Sequence, residues 1–315
     1  MNVNQSRLLS FLSRAARGEA EMPPHILDSF AKAARNAMEK HFVDGKDDFT
    51  LRMSNVGKPS CQLQLQAQGV KPEERTYDFK MRMIMGDLME AALIALMEAS
   101  GIEIKSQHKK VSYKIDDTVI NGEYDIELED GIWDIKTASP FAFEHKFNSA
   151  TAYERIKSND SFGYVAQGTG YGMASGKPFK GWIALNKSTG EIAFADAINS
   201  SQEKDEVNEK IRDAIVATNG SKPFERQFSD VPEVFYKKET GNRTLCMECS
   251  WCDYKHHCWD NLEFRRQLPS KGKNPKFVWY TYITDEWRNA DDTVPVSYGE
   301  ANAKIFKVTE DEASD

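Results

Sequence analysis

Apolar residues recur at helical spacing in the first third of the chain. Over residues 77–100 they return every three or four positions, and Gly101 follows as a stop signal. An earlier helix is predicted from near Pro24 towards Phe42. Between the two helices, residues 51–76 are polar and rich in turn-forming residues, which predicts an irregular segment.

A period of two follows these helices and predicts a sheet. The runs 110–115, 119–128 and 132–137 alternate as strands do, and Asp130-Gly131 predicts a hairpin between the last two. Further helices and strands are predicted at 142–158 (helix), 161–175 (helix), 181–186 (strand), 191–196 (strand) and 202–218 (helix). This order predicts an α/β fold in which helices flank a mixed central sheet.

The composition predicts a globular protein with more than one region. The chain has 315 residues, of which 40% are hydrophobic and 29% charged, and no apolar run approaches the ~20 residues of a membrane helix. The first 17 residues lack the apolar core of a signal peptide, so a cytoplasmic location is expected. We divide the chain into a helical N-terminal segment, a core, a cysteine-bearing lobe and a disordered acidic tail: 1–76, 77–220, 221–308 and 309–315.

The net charge of −8 is unlike that of most nucleic-acid binders, which carry a basic excess. Residues 237–276 depart from this background, with nine Lys or Arg against five Asp or Glu. Such a local excess is typical of a surface that faces phosphates, and a mixed solvated face has the same composition. An acidic total is also compatible with a site whose carboxylates hold metal ions, because the metals then carry the positive charge.

Three ionisable residues are predicted to converge on the hairpin. Asp134 and Lys136 are two apart in a strand and therefore share one face, and the hairpin register places Asp125 opposite them. Solvated charges on an edge strand would give the same pattern. However, Trp133 and Ile135 flank Asp134, which predicts a covered strand where an unpaired carboxylate is costly. Carboxylates that hold a hard cation, with a lysine beside them, suit phosphodiester hydrolysis.

Two further positions strengthen this interpretation. Glu90 lies in an otherwise apolar helical stretch after Gly86 and could supply a third metal ligand, although a half-exposed helix glutamate would look the same. Gln167 and Tyr171 are one helical turn apart and share a helix face, from which both could contact a DNA backbone.

The ordered set G-x-x-x-E, G-x-x-D, D-x-K and Q-x-x-x-Y resembles the RecB-like branch of the PD-(D/E)xK nucleases. In that branch the first motif often ends in histidine, where this chain has Glu90. The resemblance spans residues 86–171 and implies a restriction-endonuclease-like core with Mg²⁺ or Mn²⁺ chemistry. It implies metal ligands at Glu90, Asp125, Asp134 and Ile135, catalytic roles for Asp125, Asp134 and Lys136, and DNA contacts from Gln167 and Tyr171.

Four of the five cysteines fall within a short stretch of the C-terminal region. They are Cys246, Cys249, Cys252 and Cys258, and Cys61 stands far upstream. Four clustered thiolates could bind zinc tetrahedrally, or Cys61 could join three of them around a four-iron four-sulfur cluster. The ligand chemistry alone does not separate the two, because both metals accept four thiolates.

A second resemblance bears on the cysteines. The C-x2-C-x5-C spacing after the core, with one cysteine before it, is similar to the iron–sulfur nucleases of the AddB and CRISPR-associated RecB-like types. That resemblance implies a structural 4Fe–4S cluster on Cys61, Cys249, Cys252 and Cys258, which staples the N- and C-terminal parts into one helical lobe. The alternative is Zn²⁺ on the four clustered cysteines, with Cys246 included.

Together these patterns predict a DNA exonuclease that acts on single-stranded DNA or DNA ends in recombination, replication or repair. A phage or bacterial protein of this type would work in the cytoplasm of a bacterial or phage-infected cell. The sequence has no G-x-x-x-x-G-K-[ST] motif, so a helicase or recombination protein is expected as a partner and no membrane is involved. Two alternatives are a non-catalytic DNA-binding module of the same fold and a zinc-stapled interaction protein.

Overall fold

The structure, a computed structural model, describes residues 2–42, 49–271 and 276–290. It divides into two compact units. Unit 1 comprises Met1–Gln68 and Tyr77–Lys222, and unit 2 comprises Gly69–Thr76 and Pro223–Asp315. The predicted acidic tail 309–315 lies outside the described residues, as does the end of the predicted lobe 221–308. The four-part division by sequence stays a prediction.

The helices of unit 1 begin and end close to their predicted positions. The helices predicted near Pro24 and over 77–100 are confirmed as α2 and α4, but a short helix, α3, occupies part of the segment predicted to be irregular. The helix α3 was not predicted because half of its eight residues are polar, so it has little apolar periodicity. The helices are α1 (Val3–Ala16), α2 (Pro24–Phe42), α3 (Ser60–Ala67), α4 (Tyr77–Ala99), α5 (Pro140–Ala142), α6 (Ala152–Ser158), α7 (Tyr164–Ser175) and α8 (Ser201–Thr218).

A five-stranded mixed sheet forms the centre of unit 1. The strands lie in the order in which the chain makes them: β1 (Ser106–Ile115), β2 (Thr118–Leu128), β3 (Gly131–Ala138), β4 (Phe179–Asn186) and β5 (Ile192–Asp196). All neighbours are antiparallel except β3 and β4, which run parallel and are joined by α5, α6 and α7. The predicted mixed α/β architecture and the β2–β3 hairpin are confirmed.

Helices cover both faces of this sheet. On one face, α4 packs Leu93 and Met97 against Trp133 and Ile135 of β3, and all four side chains are buried. The other face packs against α6, α7 and α8 through a second buried cluster that includes Tyr171. Because β3 is covered on both faces, its polar residues are withdrawn from bulk water, as its apolar flanks predicted.

The predicted helix over 142–158 is interrupted. The chain forms only α5, then one π-helical turn, Phe143–Phe147, and resumes as α6 at Ala152. The wider turn lets Phe143 and Phe147 both reach the buried core, whereas Phe141 stays 74% exposed. Single π turns inside helices often occur at functional sites.

Unit 2 contains an antiparallel sheet, so the prediction of a wholly helical C-terminal lobe is wrong. The sheet order is β6-β7-β9-β8, with β6 (Val231–Phe235), β7 (Lys238–Thr244), β8 (Glu263–Arg266) and β9 (Phe277–Tyr282). Short helices accompany it: α9 (Met247–Ser250), α10 (Lys255–Cys258) and α11 (Asp285–Ala290). Strands this short, with Gly- and Pro-containing neighbours, give a weak local signal, and pairing between β7 and β9 depends on distant residues.

The basic excess of residues 237–276 is partly balanced inside unit 2. Arg243 donates two hydrogen bonds to the Asp230 carboxylate, at 2.8 and 2.6 Å, and the buried Lys255 pairs with Glu73. Arg265 pairs with Glu263 at 2.7 Å. Three of the nine basic residues are thus paired within the unit, which favours the interpretation as a mixed face. Lys273 lies outside the described residues.

In the part of the chain that the structure describes, no helix is both long and apolar enough to cross a membrane.

Candidate active site

The site lies where β2 and β3 stop pairing. Their ladder ends at Ile126 and Trp133, and beyond this point β3 pairs only with β4. Asp125 and Asp134 are the next residues on the two strands, so they flank the opening. The Asp125 carboxylate accepts a hydrogen bond from the Ile135 backbone N–H at 2.6 Å, which replaces the strand partner that this N–H would otherwise need.

Asp134 and Lys136 point to the same side of β3, as their spacing predicted. Lys136 Nζ lies 2.6 Å from Asp134 Oδ2, and the Asp134 side chain is only 1% exposed. Beyond this ion pair and the neighbouring Asp125 carboxyl group, the Asp134 oxygens have no hydrogen-bond donor among the described residues. A buried carboxylate in this condition is costly unless a further cation meets it.

The pKa values of two acids of the site are raised. Burial raises the pKa of Glu90, on α4, to about 9, and the negative charge of Asp125 adds to the effect. Burial likewise raises the pKa of Asp134 to about 7, although Lys136 opposes the shift. Three carboxylates therefore share one lysine, and the raised pKa values mean that Glu90 holds its proton at neutral pH unless a further cation binds.

Lys136 stays a cation. Burial by itself would lower the pKa of its ammonium group, but the charges of Asp134 and Asp125 hold that pKa well above its usual range. Its Nζ also lies 5.4 Å from the centre of the Tyr164 ring, within the range of a cation–π contact. Tyr164, at the start of α7, is thus a neighbour of the site that sequence patterns did not single out.

His108 is a second residue that the sequence reasoning missed. The β1–β2 register is in step on both sides of it, with Gln107 opposite Ile126 and Lys109 opposite Tyr124, so His108 stands opposite Asp125, and it has a positive φ of 49°. Its imidazole lies near two acids: Nε2 is 3.7 Å from Glu90, and Nδ1 is 3.8 Å from Glu123. A lone histidine in a lysine-rich strand gave no signal, because a single positive φ is not encoded in the alternation of the strand.

Gln167 and Tyr171 lie together on α7, as their spacing predicted. The Gln167 side-chain amide donates to the Tyr171 hydroxyl at 3.1 Å. Tyr171 is only 2% exposed, whereas Gln167 is half-buried, so Gln167 is the more accessible of the two to a ligand. Burial raises the pKa of Tyr171 to about 12. Their predicted DNA contacts stay a prediction.

The glycine of the G-x-x-D motif has a packing role. A Cβ atom at Gly122 would lie 2.7 Å from the Tyr171 ring and 2.8 Å from Met53 Cβ. Both distances are shorter than van der Waals contact, so only glycine leaves room for Tyr171 to pack against β2. Ile135 contributes no polar side chain, so any contact with a metal would come from its backbone carbonyl.

The hard oxygen donors of Glu90, Asp125 and Asp134 fit a divalent cation such as Mg²⁺ or Mn²⁺. The Asp134 oxygens without hydrogen-bond partners and the crowding of three carboxyl groups around one lysine support this fit. Within the described ranges, no group of three or more His, Cys, Asp or Glu side chains is already arranged as a metal site.

The cysteines belong to different units. Cys61 is the second residue of α3 in unit 1, whereas the other four cysteines lie in unit 2, in or beside α9 and α10. Burial raises the pKa of the Cys249 thiol well above its usual range, and the adjacent Cys246 adds to that shift. Cys246, which the iron–sulfur assignment leaves out, is therefore in contact with one of the predicted ligands. Both metal assignments stay predictions.

Comparisons with known proteins add little. The chain matches no protein-family model, and no curated protein matches it. A solved structure described as "Crystal structure of SSO0001" is similar over 71% of this chain and 93% of that chain, with 12% sequence identity and a TM-score of 0.39. A similarity of this size supports no conclusion about fold or function.

Proposed function

We propose that the protein is a metal-dependent deoxyribonuclease that hydrolyses phosphodiester bonds in single-stranded DNA or at DNA ends, in recombination, replication or repair. The observation that carries the proposal is the convergence of Glu90, Asp125, Asp134 and Lys136 at the point where β2 and β3 separate. A restriction-endonuclease-like core is part of the proposal, and the helix-hairpin-helix-strand order of unit 1 supports it.

The acids and the lysine have separable tasks in this proposal. Glu90, Asp125 and Asp134 would hold Mg²⁺ or Mn²⁺, with the Ile135 carbonyl as a further ligand. A cation bound there supplies positive charge that stabilises the phosphate as negative charge develops on it. Asp125 is positioned by the Ile135 amide, so its second oxygen can turn towards the site.

Lys136 acts as a fixed positive charge. Its raised pKa keeps the ammonium group protonated at every physiological pH, so it cannot serve as a general base. From the same face as Asp134 it can donate to a phosphate oxygen or orient the attacking water. Gln167, supported by Tyr171, is placed to donate to the DNA backbone from α7.

The test is degradation of end-labelled linear DNA, single- and double-stranded, with Mg²⁺ or Mn²⁺. Asp134→Asn and Lys136→Met should each lower the rate by about a hundredfold or more, because each removes charge that acts on the reacting phosphate. Asp117→Asn, in the exposed β1–β2 turn, is the matched control and should keep full activity. The labelled end reports the polarity of degradation.

An inert wild type would count against hydrolysis. If such a protein still bound DNA, the non-catalytic binding module would replace the nuclease proposal. Activity that persisted in both Asp134→Asn and Lys136→Met would place the chemistry elsewhere in the chain.

We further propose that the cysteines hold a structural metal group, with a 4Fe–4S cluster preferred over Zn²⁺. Anaerobic purification followed by iron, sulfide and zinc analysis separates these assignments. A brown protein that loses its colour in Cys61→Ser supports the cluster. A colourless protein with one zinc, lost in Cys246→Ser and kept in Cys61→Ser, supports the zinc-stapled alternative.

A further inference from the structure

An exposed aromatic pair lies beside the proposed active site. Phe162 is 52% exposed, and its ring stacks on that of Tyr164 with centroids 5.6 Å apart and an angle of 21° between the planes. Tyr164 packs against the core and contacts Lys136, so the pair leads from the core to the surface. The fold gains little from leaving a phenylalanine ring half in water.

The turn that presents Phe162 is held firmly. The Asp160 carboxylate accepts hydrogen bonds from the backbone N–H groups of Tyr164 and Val165, at 2.7 and 3.0 Å, and so caps α7. Gly163 has a φ of 75°, and a Cβ atom on it would lie 2.5 Å from the Gly57 Cα. This backbone contact allows no side chain at either glycine, so the ring is displayed from a fixed position.

Two lysines lie against the two rings. Lys136 Nζ is 5.4 Å from the Tyr164 ring centre, and Lys146 Nζ is 5.9 Å from that of Phe162. Lys146 is held there by a 2.8 Å hydrogen bond to the Asn159 carbonyl. A flat apolar ring beside fixed cations matches a nucleotide, whose base stacks while its phosphate meets the positive charge.

We propose that Phe162, supported by Tyr164, stacks an unpaired base of the DNA strand whose phosphate lies at Asp125, Asp134 and Lys136. The inference rests on the proposed nuclease function and deepens it, because it specifies how the substrate strand is recognised. Inside a duplex both faces of each base are covered by neighbouring pairs, so the ring can stack only on a base of a single strand or at a DNA end. The substrate class is therefore single-stranded DNA or a frayed end.

The test measures stacking separately from hydrolysis. A short single strand that carries 2-aminopurine is titrated with protein in Ca²⁺, and quenching of the base fluorescence reports stacking. Phe162→Ala and Phe162→Leu should weaken affinity about 5- to 150-fold and abolish the quenching, whereas Phe162→Trp should keep both. Leucine retains apolar bulk without a ring, so it separates stacking from simple hydrophobic contact.

Phe42→Ala is the matched control. Phe42 is 69% exposed and also has a lysine over its ring, Lys80 at 5.7 Å. This variant should bind and quench like the wild type, and affinity for closed circular duplex, which has no ends, should not change in Phe162→Ala. Because both rings are exposed, thermal melting should show that every variant folds.

The two proposals fail in different ways. If Phe162→Ala keeps its affinity and quenching, the stacking inference is overturned, and the exposed ring then suits a protein partner better. If wild-type protein stacks the base through Phe162 but never cleaves DNA in Mg²⁺ or Mn²⁺, stacking stands and the nuclease function fails.

Discussion

Two buried carboxylates, one in each unit, have opposite surroundings. Glu233 in unit 2 is 3% exposed and accepts hydrogen bonds from Thr240, Asn242 and Tyr280, at 2.8, 2.9 and 2.6 Å. Asp134 in unit 1 is just as buried, but its contacts are the ion pair with Lys136 and the neighbouring carboxyl group of Asp125. A buried acid with several donors stabilises a fold, whereas one without them is typical of a functional site.

The same contrast extends to the neighbouring acids. In unit 2, hydrogen bonds from Arg243 hold the pKa of Asp230 below its usual range. In unit 1, burial and the charge of Asp125 raise the pKa of Glu90 to about 9. Unit 2 thus balances its carboxylates internally, and the site in unit 1 does not.

The largest expected effect in this comparison is on stability, with opposite signs in the two units. Glu233→Ala should lower the free energy of unfolding by about 1–3 kcal/mol, because two buried donors and the half-buried Thr240 lose their acceptor. Asp134→Asn should raise the midpoint of thermal unfolding in EDTA at pH 8, because it removes a desolvated charge and its repulsion with Asp125. Thermal melting of both variants beside the wild type measures this. A loss of stability in Asp134→Asn would mean that its pair with Lys136 supports the fold.

A second prediction concerns pH. The pKa of Glu90 in the folded state lies above its ordinary value of 4.5, so the folded protein binds this proton more tightly than the unfolded chain does. The contribution of Glu90 to stability in EDTA should therefore be fully present below about pH 4.5 and be lost as the pH rises towards 9. Glu90→Gln should flatten this decline and raise the midpoint at pH 9 by a few degrees, since ~1 kcal/mol corresponds to roughly 2–4 °C.

The same stability measurement can be made with divalent cations in place of EDTA. Mg²⁺ or Mn²⁺ should restore stability to the wild type at pH 8 to 9, because bound cations favour the ionised acids. The effect should be weaker in Glu90→Gln, where one donor is less suited to a cation. If the stability of wild type and Glu90→Gln depended on pH in the same way, the raised pKa of Glu90 would be wrong.

The smallest effect is expected at an exposed pair in unit 2. Arg243→Ala breaks its two hydrogen bonds to Asp230, but the Arg243 side chain is 41% exposed. Water screens such a pair, so the loss should be about 1 kcal/mol or less, measured by denaturant unfolding. If Arg243→Ala lowered the free energy of unfolding as much as Glu233→Ala does, solvent exposure would not explain the difference between the two sites.

Local sequence patterns predicted the helix and the hairpin that carry the site. The helical spacing over 77–100, the Asp130-Gly131 turn and the two-residue interval between Asp134 and Lys136 each depend on neighbours in the sequence, and each has its predicted structure. The spacing of Gln167 and Tyr171 belongs to the same group, because one helical turn brings them together. Periodicity encodes which side chains share a face, and those predictions needed nothing more.

Only the tertiary structure decided which faces meet. It placed Glu90 of α4 near Asp125, brought His108 close to Glu90 and Glu123, set Tyr164 beneath Lys136 and stacked Phe162 on Tyr164. It also paired the short strands of unit 2 into a sheet where a helical lobe was expected. Each of these features joins residues distant in the chain or depends on backbone geometry that alternation does not encode, so packing across elements had to select them.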